Sequence, residues 1–104
     1  MIFRRGRFAD LVERQLDLFE RETILLEEAA AADAAWTAAD ASTSEELYGD
    51  YQLVVDAIGS ELHEIRETYA AGLDERTAED YRRAFDARAR KRFGRLASFL
   101  EDPD

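Results

Sequence analysis

Cysteine is absent from this chain of 104 residues, which excludes disulfides, zinc–thiolate centres and cysteine nucleophiles and points to no oxidising compartment. Redox chemistry would need a borrowed cofactor. The one proline, Pro103, stands at the C-terminal end, so nothing inside the chain carries that breaker. The one histidine is His63 and the one lysine Lys91. No apolar run approaches the roughly 20 residues that span a membrane. The N-terminal MIFRRGRFADL has basic residues but no apolar stretch behind them, unlike a secretory leader. These absences predict a cytoplasmic protein that binds no membrane and carries no cofactor.

What is present is acid. Asp and Glu number 24 against 14 Lys and Arg, a formal charge of -10 that repels nucleic acid and anionic membranes at low salt. At 46% hydrophobic, the chain can bury the core of one domain. All of the basic residues but Lys91 are Arg, while Ala, Asp and Glu fill the exposed helix positions. In that usage the whole chain resembles a small all-helical protein family of salt-in halophilic archaea. The resemblance is compositional and implies an environment of high salt, with no activity attached.

Three helical patterns and two breaks run along the sequence. In the first, Phe8, Leu11, Val12, Phe19, Leu26 and Ala30 recur at spacings of three, four and seven, flanked by Leu18, Leu25 and Trp36 on one side and Leu16 on the other. This predicts one long helix over about 8–39. Thr43 with Glu46 makes a capping box, with Ser42 and Glu45 as the alternative start, for a second helix over about 44–71. Its apolar face carries Leu47, Tyr51, Val54, Val55, Ile58, Leu62, Ile65 and Tyr69, and Gly72 is placed for a left-handed C-terminal cap. Thr77 is the expected N-cap of a third helix over about 77–101, striped by Tyr81, Phe85, Ala89, Phe93, Leu96 and Leu100, with Pro103 beyond its end. Short connections make consecutive helices antiparallel. The expected fold is therefore all-α, a three-helix up-down-up bundle with a long first helix.

Three constellations hint at chemistry. Asp56, Ser60, His63 and Glu67 fall along one side of the second helix, yet a straight helix has no spare backbone N–H groups for an oxyanion hole. That side is expected to be a solvated face. Glu46 and Asp50 faintly resemble the metal-binding acids of all-α nucleotide pyrophosphatases, but those pair Glu and Asp one position closer and add an E-x-x-E motif on an earlier helix, which is missing here. Glu46 is better explained as the cap partner of Thr43. Arg82, Arg83, Arg88, Arg90, Lys91, Arg92 and Arg95 give the third helix a basic stripe for phosphates. No helix-turn-helix spacing or Gly-rich phosphate loop accompanies it, and the acidic first two helices can neutralise it internally. No catalytic, cofactor-binding or metal-binding residue is therefore assigned.

Association remains the expected role, as a homodimer or as the partner of another protein. Ile24 and Leu53 are apolar residues that the helical wheel places toward solvent, and small bundles commonly cover such residues by self-association. Gln15, Glu22 and Asp33 fall inside the apolar arc of the first helix, as Arg92 does in the third with Arg88 at its edge. Unpaired buried charge is too costly to persist, so a buried pair of Glu22 with Arg88 or Arg92 is expected.

Overall fold

The computed structural model describes residues 6–100, with side chains as far as Ala97. Expectations on the N-terminal 1–5 and on Pro103 lie outside the described residues, whereas the last helix, expected to reach 101, ends at Phe93. Four α-helices follow one another: α1 (Ala9–Glu22), α2 (Leu25–Thr37), α3 (Ser44–Ala70) and α4 (Glu75–Phe93). A 3-10 segment, Gly94–Leu100, follows, with non-helical backbone at Ala97. Described residues include no strand.

The expected long first helix is two helices. At Thr23 the backbone turns extended (φ -87°, ψ 146°), and the Thr23 Oγ1 accepts a hydrogen bond from the Leu25 N–H at 3.1 Å. Thr23 thus satisfies the first N–H of α2, whose N-cap residue is Ile24, with Glu27 in the first turn favourably placed at the positive end of the helix dipole. The interruption changes which residues face inward. Ala29 is buried and Ala30 exposed, the reverse of what an unbroken helix requires.

The expected caps also move. At the start of α3, Thr43 makes no capping bond with its side chain; Asp40 Oδ1 instead accepts from the Ser42 and Thr43 N–H groups and both hydroxyls. Asp74 caps α4, accepting from the Thr77 N–H at 2.9 Å and the Thr77 hydroxyl at 3.0 Å, so the helix begins two residues before Thr77. Gly72 is not left-handed; the positive φ belongs to Gly94, at 58°, which ends α4.

Ring contacts give the directions of the helices. Phe8 meets Tyr81 at 5.5 Å and Phe19 meets Phe93 at 5.6 Å, so α1 and α4 run parallel. Tyr69 meets Tyr81 at 4.8 Å while Arg66 reaches Asp86, so α3 runs against α4. Trp36 lies 4.7 Å from Tyr48 and 5.8 Å from Tyr51, closing α2 antiparallel onto the start of α3. The described residues are therefore all-helical, with four α-helices where three were expected. The core is formed by Val12 and Leu16 of α1, Ile58 and Leu62 of α3, and Tyr81 and Phe85 of α4, all fully buried.

Candidate functional site

α1 packs on α4, α2 on α3, and α3 on α4, while α1 and α3 share the core through side chains such as Leu16 and Leu62 with their backbones standing apart. Between them lies an open groove of about 1230 Å³. Phe19, Leu25, Ile65 and Leu73 lie along it, and Leu18, Ile24 and Tyr69 project at 50%, 65% and 38% exposure. Gln15 sits on the α1 wall, half-buried, and accepts a hydrogen bond from the Tyr81 hydroxyl at 2.8 Å. Tyr81 itself is fully buried, and this desolvation pushes its phenol up to about 12. Glu22 stands on the α1 wall, Glu61 and Glu64 on the α3 wall, and among the described residues no basic side chain lines the space. None of these three acids forms an ion pair among the described residues.

The other acids facing helix seams are occupied. Arg92 bonds Glu13, reaches Asp17 at 2.7 Å and Glu20 at 3.0 Å, and Arg88 reaches Glu13 at 3.3 Å. The expected ion pair is corrected accordingly: the arginines do face α1, but Glu22 is not their partner. Nine residues, about two and a half turns, separate Glu22 from Glu13, so Glu22 lies on the opposite side of α1. Nor is the pairing buried. Arg88 and Arg92 keep 26% and 23% exposure, and among the described residues no polar or charged residue is buried.

A second network ties α3 to α4. Arg66, 14% exposed, bonds Glu67 and Asp86 at 2.8 Å each, and Arg82 closes on Glu67 at 2.8 Å. Bonding from Arg82, aided by Arg66, holds the Glu67 carboxyl down at about 2. Because the folded value lies below the ordinary 4.5, the stabilisation is complete above pH 4.5 and is lost as pH falls toward 2. At about 1.4 kcal/mol per pH unit the limit is near 3 kcal/mol, and solvent over this carboxylate cuts it to about 1–2 kcal/mol. Urea unfolding at pH 6 and pH 3 should show that acid-side loss in the wild type and a shallower one in Glu67→Gln; equal slopes would remove Glu67 as its cause.

That network also decides the fate of the His63 constellation. Glu67 is engaged by two arginines, the His63 Nδ1 lies 3.1 Å from Arg66, and Asp56 and Ser60 are exposed. Glu46 and Asp50 are exposed too, and no group of three or more His, Cys, Asp or Glu among the described residues is placed to hold a metal ion. Of the basic stripe, Arg82, Arg83, Arg88 and Arg92 on α4 and Arg95 in the 3-10 segment meet carboxylates, the last on Asp33 at 3.3 Å.

Ile24 and Leu53 are both exposed, at 65% and 69%, but do not share a surface. Ile24 lines the groove, whereas Leu53 lies 12 residues before Ile65, about 18 Å back along α3. The groove escaped sequence reasoning because Leu18 and Tyr69 count there as ordinary members of apolar faces. No helix among the described residues is long and apolar enough to cross a membrane. Compared with family models, with curated proteins and with solved structures, the chain matches none of them.

Proposed function

We propose that this is a non-enzymatic interaction protein whose α1–α3 groove receives an amphipathic helix from another protein. The groove is the observation that carries the reading. Its volume of about 1230 Å³ exceeds the roughly 300–1,000 Å³ usual for small-molecule sites, and it is open along its length. Two helices splayed around an apolar floor offer a third helix the i, i+3/i+4, i+7 anchoring used in helix-in-groove recognition. From Glu61 to Tyr69 the α3 wall runs about 12 Å, a little over two helical turns.

A second copy of this chain is the less favoured occupant. Grooves meeting face to face would oppose the Glu22, Glu61 and Glu64 carboxylates of both copies, and like charges at an interface are costly.

A designed 15-residue helix with a leucine stripe and glutamine flanks tests the docking reading. Titrated into the protein, it should shift the backbone amide resonances of Leu18, Ile24, Ile65 and Tyr69 to saturation, and a scrambled peptide should not. Absent or evenly spread shifts would sink the proposal. A dimer of the protein alone in light scattering, abolished by Leu18→Glu, would assign the groove to a second copy instead.

A further inference from the structure

We infer that the helix taken by the groove is cationic, with Lys or Arg on both sides of its apolar stripe; this rests on the docking reading above. Charge complementarity carries it. The groove's acids stand on opposite walls, Glu22 from α1 and Glu61 and Glu64 from α3, with apolar residues between them. A helix about 10–12 Å across, seated apolar side down, brings its two flanks against those walls. Basic flanks then meet carboxylates along both edges.

The distribution of arginine strengthens the point. Along the α1–α4 seam Glu13, Asp17 and Glu20 are answered by Arg88 and Arg92, and along the α3–α4 seam Glu67 and Asp86 by Arg66 and Arg82. Where α1 and α3 face each other across the groove, the described residues supply acid on both sides and no base. An occupant with basic flanks would supply cations to both of these walls. A helix with acidic flanks would place like charges on both edges, so the same three glutamates also select against it.

Three peptides sharing the leucine stripe, with Lys, Gln or Glu flanks, test this by fluorescence anisotropy at 0.1 M and 1 M KCl. The Lys peptide should bind about tenfold tighter than the Gln peptide at 0.1 M, and the Glu peptide more weakly than either. The triple variant Glu22→Gln, Glu61→Gln, Glu64→Gln should erase most of the difference, as should 1 M KCl, with helicity by circular dichroism unchanged. If Gln and Lys peptides bind alike, the docking reading stands and the cationic occupant is wrong. Failure of the Gln peptide to bind would overturn docking itself. Lys-peptide binding that survives Leu18→Glu would show attraction to the acidic surface at large and also overturn the inference.

Discussion

Replacing Phe85 with alanine should cost about 3–5 kcal/mol, the usual range for truncating a fully buried aromatic ring. Phe85 is 0% exposed, lies in the core cluster with residues from α1 and α3, and stands 6.0 Å from the Tyr81 ring. The removed ring leaves a cavity that helix backbones cannot close without shifting. A domain of this size has only about 5–15 kcal/mol in all, so the variant should populate unfolded chain in mild urea. Phe93→Ala is the comparison, because Phe93 is half-buried and caps the far end of the same stripe. Its loss should be about 1–2 kcal/mol, in proportion to the smaller area covered. Equal losses for the two variants in urea unfolding would contradict the placement of the core.

The second large effect belongs to Arg92. Its guanidinium gathers Glu13, Asp17 and Glu20, which follow at spacings of four and three along one face of α1. Single exposed ion pairs contribute less than about 1 kcal/mol, but Arg92→Ala also strands Asp17 and Glu20 and leaves Glu13 to Arg88 alone, so about 2 kcal/mol is expected at low salt. Salt separates charge from packing. The Debye length falls to about 3 Å at 1 M, screening the stranded acids, so molar KCl should restore much of the loss. In the wild type, added KCl should raise the melting temperature through the same relief of a -10 charge. A loss indifferent to KCl would assign the role of Arg92 to its apolar stem.

The helical class, the core stripe and the facing of the arginines were legible because each depends on periodicity. Tyr81, Phe85 and Ala89 recur every four residues and are all buried, as a 3.6-residue period demands. The break at Thr23 was hidden by the same reasoning, because Phe19, Leu26 and Ala30 keep helical spacing across it. The capping bonds differ from expectation where several short polar side chains share a turn: Thr43 is the N-cap residue of α3 without a side-chain bond, and α4 is capped at Asp74. Asp40 competes with Ser42 and Thr43, Asp74 with Thr77, and differences of a few tenths of a kcal/mol among good capping residues leave the choice to local geometry.

Composition and periodicity by themselves thus determined an acidic, cysteine-free, all-helical chain with its aromatic stripe turned inward, since burial of apolar faces follows from spacing along one helix. Tertiary structure decided which acids answer Arg88 and Arg92. Facing is set within a helix, but register is set by the connections and by the close packing of rings such as Phe8 on Tyr81 and Phe19 on Phe93. It also decided the groove. Leu18, Ile65 and Tyr69 belong to apolar faces in any helical reading; only the splaying of α1 from α3, with α1 held on α4 and α2 on α3, leaves them uncovered. The distance between two helices is a property of how all of them pack together, and no single stretch of sequence contains it.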